Sequence, residues 1–344
     1  MLRIAGGKRS DMLKAKVTIA DVAKSAGVSA MTVSRVLNNK GEISPATRER
    51  VQAAIDRLGY RPSAIARSLA TQRSRTLGLM VPDITNPFFP EIVRGAEDAA
   101  WRSGYTMIFC NTVEDLEREA ATLQRLEDNR VDGVILCSAR LPDEALVPLI
   151  KRHSAVVLVN RDVPSELAGT VQIDDGYGTM RAVHHLMASG RRIVGLLAGP
   201  PYSHSGKKRL QGFLDAHETI GNVVAKSLIE PCSPDEAGGV QATKALIARH
   251  PNLDGLICYN DLVAIGALQA CGELGTSVPD DIAIVGCDDI RLASLVTPAL
   301  STLRVDKYAL GTQAVTLLLE QLEQHKSNQR VTLKPELVIR ASAP

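Results

Sequence analysis

From residue 77 onward, short apolar runs alternate with amphipathic helical stretches, and this alternation limits the possible folds more than any other feature of the 344-residue chain. The runs fall at 77–81, 106–110, 133–137, 156–159, 193–198, 256–258 and 282–286. Strands that are apolar on both faces must be covered by helices on both sides, so the pattern predicts βαβ units and parallel sheets. A span of roughly 270 residues exceeds what one core usually organises, which favours two similar α/β lobes over one large sheet. A composition of 45% hydrophobic and 23% charged residues supplies enough apolar surface for such cores and excludes disorder over most of the length. No run approaches eighteen uninterrupted apolar residues, and the N-terminus lacks an apolar segment with a small-residue cleavage site. Neither a membrane span nor a secretory signal is expected.

The formal charge of +2 conceals a division. Residues 1–75 carry 15 Lys and Arg against 5 Asp and Glu, while the remainder carries 25 against 33, so a head of +10 precedes a body of −8. A basic head on an acidic body points to a polyanion partner for the small part alone. Residues 1–15 contain Gly6-Gly7 and four basic side chains without periodicity and read as a flexible tail, in which Met12 is an alternative start. Three short helices follow within 16–60. Ile19, Val22, Ala23 and Ala26 make one apolar face between a Thr18 cap and a Gly27 stop; Ser29 caps a second helix with Val33, Val36 and Leu37 inward; Ser44-Pro45 opens a third burying Val51, Ala54, Ile55 and Leu58. Three helices with a tight Gly-containing turn between the first two form the layout of a helix-turn-helix unit.

The second helix exposes Ala30, Met31, Thr32, Ser34, Arg35 and Asn38. A helix lying in the major groove needs small residues for close approach, hydroxyls and amides for phosphate oxygens, and a guanidinium to bridge guanine O6 and N7. Arg35 is the candidate for that bidentate contact, Ala30 and Met31 for apolar readout, and Thr32, Ser34 and Asn38 for positioning on the backbone. The alternative is an ordinary three-helix bundle with a hydroxyl-rich surface helix.

Through Thr32-Val33-Ser34-Arg35, the third helix and the segment Tyr60-Arg61-Pro62-Ser63-Ala64-Ile65-Ala66-Arg67-Ser68-Leu69, residues 17–70 resemble the DNA-binding region of the lactose-repressor (LacI/GalR) family of bacterial transcription regulators. The resemblance extends over nearly the whole chain, since the rest is similar to the periplasmic-binding-protein-like core of that family. It implies a hinge helix within 61–75 that folds on DNA, pairs with its dimer mate and contacts the minor groove through Ser63, Ala66 and Leu69, with Leu69 as the wedge that kinks the duplex. Where purine-repressor-like relatives place a lysine after that leucine, this chain has Ala70. Leu69 anchoring the linker to the core is the competing reading.

Two of the chain's four phenylalanines, Phe88 and Phe89, follow Asn86 just after the first core strand, where open α/β sheets place their ligand crevice. Aromatic faces sandwiching a sugar ring with an amide nearby would suit a pyranose or furanose, and the segment resembles the corresponding loop of ribose-type binding proteins. The alternative is a turn whose phenylalanines fill core. The same resemblance implies Asn160 and Arg161, Arg209, Asn260 and Asp288 in one cleft, each a source of directional hydrogen bonds. Ribose-type sites usually have Asp where Asn160 stands and Gln where Val305 stands. Interlobe or surface salt bridges would equally use these charges.

Signals for catalysis, cofactors and metals are weak. Residues 199–207 imitate a phosphate loop, but the glycine spacing is too long and Lys208 occupies the place of the magnesium-binding hydroxyl. No GxGxxG follows a strand, and His184-His185 diverge by about 100° on a helix. Cys110, Cys137, Cys232, Cys258, Cys271 and Cys287 show no CxxC spacing; four lie within or directly after strand-like runs, which suits free thiols in a reducing cytoplasm. The expected protein is a cytoplasmic homodimeric repressor of a sugar-utilisation operon without catalytic residues or cofactor, acting on a pseudo-palindromic double-stranded operator. In it, a helix-turn-helix domain and hinge precede two α/β lobes, one of 76–174 and 305–330, the other of 175–304 and 331–344. The alternatives are a regulator answering to a purine or sugar acid, and a sugar-processing enzyme with an accessory DNA-binding domain.

Overall fold

The computed structural model describes residues 17–38, 41–61, 73–324 and 329–344. The chain divides between Ser74 and Arg75 into two compact units. In the first, α1 (Ile19–Ala26), α2 (Ala30–Leu37) and α3 (Pro45–Leu58) each start at a hydroxyl cap. Thr18 closes a capping box with Asp21: Asp21 N donates to Thr18 Oγ1 at 3.3 Å, and Thr18 N donates to Asp21 Oδ2 at 2.9 Å. Ser29 accepts from Thr32 N at 3.1 Å and Ser44 from Thr47 N at 3.3 Å. Gly27 and Gly59 end α1 and α3 in the left-handed region, at φ 64° and 61°, which a side chain would resist. Val22, Val33 and Val51, one from each helix, are fully buried at the centre of the unit. The proposed tail of 1–15 and the hinge residues Ser63, Ala66 and Leu69 lie outside the described residues.

The second unit holds two six-stranded sheets. The first contains β1 (Thr76–Val81), β2 (Thr106–Asn111), β3 (Gly133–Cys137), β4 (Val156–Val159), β5 (Gly169–Ile173) and β11 (Arg330–Leu333), in the order β11-β5-β4-β3-β1-β2, with every pairing parallel. The second contains β6 (Val194–Leu197), β7 (Ile229–Glu230), β8 (Gly255–Cys258), β9 (Ala283–Asp288), β10 (Ser301–Arg304) and β12 (Glu336–Val338), in the order β12-β10-β9-β8-β6-β7, where only β12 runs antiparallel to its neighbour. Helices cover both faces of each sheet and close a pair of cores around it.

The chain passes between the lobes three times: after Ile173, after Arg304 and after Leu333. The last passage corrects the expectation that all of 331–344 belongs to the second lobe. Val331 and Leu333 pair with Val171 and Ile173 in the first sheet, and the run breaks at Lys334-Pro335 because proline has no N–H to continue the ladder; only the following strand joins β10. Two strands absent from the apolar runs, β5 and β10, carry polar residues that are nonetheless buried. In β10, Thr302 Oγ1 donates to Asp261 Oδ1 at 2.5 Å and Ser301 Oγ to Arg340 O at 3.0 Å, so the hydroxyls of this strand enter the core satisfied.

In the first lobe, helices Phe88–Arg102 and Lys307–Gln324 cross at glycine. A Cβ on Gly95 would lie 2.2 Å from Tyr308 O, and one on Gly311 would lie 2.1 Å from Ile92 O. Backbone cannot yield as a side-chain tip can, so Gly311→Ala is expected to destabilise this lobe by about 1–3 kcal/mol or more. Thermal denaturation checks this, and an unchanged Tm would refute the tight crossing.

Candidate functional site

On the first unit, α2 packs through Val33 and Val36 and turns Met31 and Arg35 outward, Met31 being 64% exposed. Arg35 makes no hydrogen bond or ion pair to another described residue, so its guanidinium is free for a ligand. Thr32 and Asn38 are partly committed to the helix itself: Thr32 Oγ1 shares a 2.9 Å hydrogen bond with Ser29 Oγ, and Asn38 Nδ2 donates to Ser34 O at 2.8 Å. Ala30 and Ser34 complete the same helix at exposed and half-buried positions.

On the second unit, a solvent-connected cavity lies at the carboxyl ends of the strands of both lobes, the position expected for open parallel sheets. Its first-lobe wall comes from Asn86, Phe88 and Phe89 after β1, Glu114 after β2, Ser138 and Arg140 after β3, and Asn160 after β4. Opposite stand Ser205 and Arg209 on helix His204–Thr219, Pro234, Tyr259 and Asn260 after β8, and Asp288 at the end of β9. Four of these, Glu114, Ser138, Asn160 and Asp288, have φ of 55°, 49°, 54° and 115°, and Val113 and Asp289 beside them are also positive. Left-handed backbone at non-glycine residues costs roughly 1–3 kcal/mol each and persists where the surroundings enforce it. Lys307 supplies part of that enforcement: its buried Nζ donates to Asp288 O at 2.7 Å and to Asp289 O at 3.1 Å.

The cavity electrostatics centre on Arg209. Its Nε donates to Asp175 Oδ1 at 2.8 Å, its Nη1 to Tyr259 O, and its Nη2 lies 3.7 Å from Asp288 Oδ1. Burial disfavours its charge, but Asp175 and Asp288 hold it firmly protonated. Burial pushes Asp288 up to about 6 against the pull of Arg209 and Lys307, and drives Asp261, behind it, well above the usual carboxylate range. Backbone donors occupy some amide acceptors: Asn86 Oδ1 accepts from Phe88 N at 3.0 Å and Asn260 Oδ1 from Val263 N at 2.8 Å, both locally, while Asn160 Oδ1 accepts from Ile173 N, 13 residues away, at 3.2 Å. Asn260 Nδ2 also donates to Pro234 O at 3.0 Å, so the remaining amide N–H groups, the Asp288 carboxylate and the side chains of Glu114 and Arg140 are among what this wall offers a small molecule.

Residues 18–63 match the family model described as bacterial regulatory proteins, lacI family, and residues 183–343 that of a periplasmic binding protein-like domain. A ribose operon repressor of Halalkalibacterium halodurans is 38% identical over 330 residues, covering 94% of this chain and 96% of the relative. The chain belongs to the LacI family. GalR of Escherichia coli is 36% identical over 88% of each chain, and PurR of Photobacterium profundum is 36% identical over 94% of this chain and 98% of its own. The lac repressor dimer bound to operator and the anti-inducer ONPF superposes with a TM-score of 0.84 at 28% identity, covering 96% of this chain and 99% of that one. A LacI-family regulator from Enterococcus faecium with bound ribose aligns over 78% of this chain and 98% of its own at 27% identity and a TM-score of 0.69. This LacI-family protein is thus a DNA-binding transcriptional regulator with an effector-binding core.

Two sequence expectations for the LacI-family cleft need correction. Arg161 does not reach the cavity: its Nη2 donates to Asp143 Oδ1 at 2.6 Å and Leu141 O at 3.0 Å, and its Nη1 to Asp162 O at 2.7 Å. Asn160 sits on left-handed backbone at φ 54° just past the end of β4, so the alternation of an extended strand does not hold there, and Arg161 is directed away from the cavity onto these partners. Phe88 and Phe89 line the cavity but meet edge to face at 83° with centroids 5.1 Å apart, both largely in the core, so they cannot form two parallel walls around a ring. Sequence reading missed Glu114, Arg140 and Tyr259. The aromatic dipeptide drew attention to β1, but nothing in the spacing marks a carboxylate carried in on left-handed backbone.

Proposed function

We propose that this protein represses a sugar-utilisation operon as a cytoplasmic homodimer, and that a small uncharged sugar bound between the two lobes switches its affinity for a pseudo-palindromic operator. The Asp288 carboxylate carries the reading. It is buried at the cavity wall and pushed up to about 6, and its nearest cation stands 3.7 Å away. A desolvated carboxylate with acceptor capacity to spare gains most from a ligand rich in hydroxyl donors. Resemblance to the ribose operon repressor and to the ribose-bound structure supports the same class.

Dimerisation is supported by the exposed edge strand β2, where Phe109 is solvent-facing with Trp101, Val113 and Leu116 exposed in the flanking segments. A dimer would place two α2 helices on a two-fold axis, matching the symmetry of the operator. No helix among the described residues is long and apolar enough to cross a membrane. Ligand preference for one of two DNA affinities must be reciprocal.

Operator-binding anisotropy with pentoses, hexoses, sugar acids and nucleobases tests the reading. The expected result is release or tightening with an uncharged sugar. A response to nucleobases alone would replace it with the purine reading, and turnover of a sugar without a DNA response would replace it with the enzymatic one.

A further inference from the structure

We propose that Glu114 and Arg140 set the charge specificity of the cleft, making it admit uncharged polyols and reject their carboxylate and phosphate counterparts. The inference rests on reading this cavity as the effector site. Arg140 Nε and Nη2 fork onto Glu114 Oε2 and Oε1 at 2.7 Å and 2.8 Å, a bidentate ion pair within the lining. The Arg140 side chain is 6% exposed and that of Glu114 is 23% exposed. Burial alone would disfavour the guanidinium charge, and Glu114 restores it. Two of the five guanidinium N–H groups are used by Glu114, so further donors remain for a ligand, but the charge they would bring is already cancelled.

The rest of the wall offers no surplus cation. Arg209 is matched by Asp175 at 2.8 Å and by Asp288 at 3.7 Å. An anionic ligand would lose its water and meet two guanidinium groups that are both spoken for, with the carboxylates of Glu114 and Asp288 beside it. An uncharged polyol meets the same groups as a mixture of donors and acceptors.

Arg140 stays in place without the charge of Glu114. Its backbone N–H donates to the buried Glu119 carboxylate at 2.9 Å and 3.1 Å, and its guanidinium lies 5.8 Å from the ring centroid of Tyr202 on the other lobe. Glu119 is itself pushed up by burial and takes two further constraints, Leu141 N at 3.1 Å and the fields of Arg140 and Arg161. Glu114→Gln therefore keeps the shape and one hydrogen bond while leaving a cation uncompensated at the cavity wall.

The test uses calorimetric titration of the full chain, wild type and E114Q, with matched pairs: D-galactose and D-galacturonate, D-glucose and D-glucuronate, D-ribose and ribose 5-phosphate. At least one anionic member is expected to bind E114Q ten times or more tightly than it binds the wild type, with an affinity that falls as salt is raised, and the double variant E114Q/R140M is expected to lose that gain. Anion binding unchanged between wild type and a folded E114Q overturns the proposal. So does a wild-type protein that binds a charged member as tightly as its neutral counterpart, a measurement independent of whether E114Q folds. If no neutral sugar binds the wild type while E114Q gains an anion, the charge filter stands and the sugar reading falls.

Discussion

Asp288→Asn is expected to lose the effector response while the protein still binds operator, with effector affinity falling roughly a hundredfold or more. A hydrogen bond to a charged group contributes about 1.5–3 kcal/mol, and a buried carboxylate at the wall can accept at least two from adjacent hydroxyls. The amide replaces one acceptor oxygen with a donor, so one ligand hydroxyl is left facing an N–H. Asp288 is held at φ 115° by the end of β9 and by Lys307 Nζ on its carbonyl, so the variant side chain stays where the carboxylate was. Titration calorimetry reads the affinity and anisotropy the operator binding. Wild-type effector affinity in D288N would remove Asp288 from the site.

The same residue gives a pH signature with a definite sign. Asp288 rises from 3.8 to about 6 chiefly through burial, with Arg209 and Lys307 opposing and Asp175 assisting. Between roughly pH 4 and 6 the folded protein binds this proton more strongly than the unfolded chain does. The residue's contribution to stability is therefore greatest in acid and falls as pH rises through about 6, by an order of about 3 kcal/mol once ionised. His204, lowered to about 4 by burial and by Arg161, acts in the opposite direction over overlapping pH, so the comparison must be between wild type and D288N. The Tm difference should favour D288N above pH 6 and shrink on acidification. Effector affinity should move the other way in the wild type, weakening below about pH 6 as the acceptor is protonated, and D288N should show no such step. Stability is thus spent at the residue that binds, as expected where desolvation prepares a carboxylate for a ligand.

Seven strands were readable as apolar runs because a strand between two helical layers has no polar face to interrupt it. The strands β5 and β10 were not, because the buried polar residues Thr170, Gln172, Ser301 and Thr302 break the apolar pattern; Val156, in the first lobe, even exchanges its backbone hydrogen bonds with Gln321, 165 residues away. The cleft was legible where a residue ends a strand, as with Asn160, Asn260 and Asp288, since parallel topology alone brings strand ends together. It was illegible where side-chain direction depends on an unusual dihedral. Glu114 follows another left-handed residue, Val113, and reaches the wall by that kink, whereas Arg161 follows the left-handed Asn160 and is carried off it. Lys307 escaped notice for a different reason: it opens a helix in the first lobe and acts on the backbone of the second, a relation created only by the chain's return between lobes.

Arg35→Ala should reduce discrimination between operator and random DNA by about 1–3 kcal/mol, the value of a bidentate contact to guanine. The operator for this comparison is a sequence enriched from a random library by the wild-type protein. Because Arg35 is exposed and makes no bond to another described residue, its removal should leave the first unit as stable as before; Val33 and Val36, on the opposite face of α2, keep the helix docked. Thr32→Ala should behave differently. Thr32 Oγ1 is bonded to Ser29 Oγ at the start of α2, so this variant weakens the helix N-terminus as well as any phosphate contact and should lower affinity for both DNAs together. Salt dependence separates the two effects. A residue reading a base changes the ratio of specific to random affinity at every salt concentration, whereas a residue neutralising a phosphate lowers the slope of log affinity against log salt by about one for both DNAs. If Arg35→Ala weakens operator and random DNA equally and lowers both slopes, Arg35 is a backbone contact, and base readout must be sought in Ala30, Met31 and Ser34.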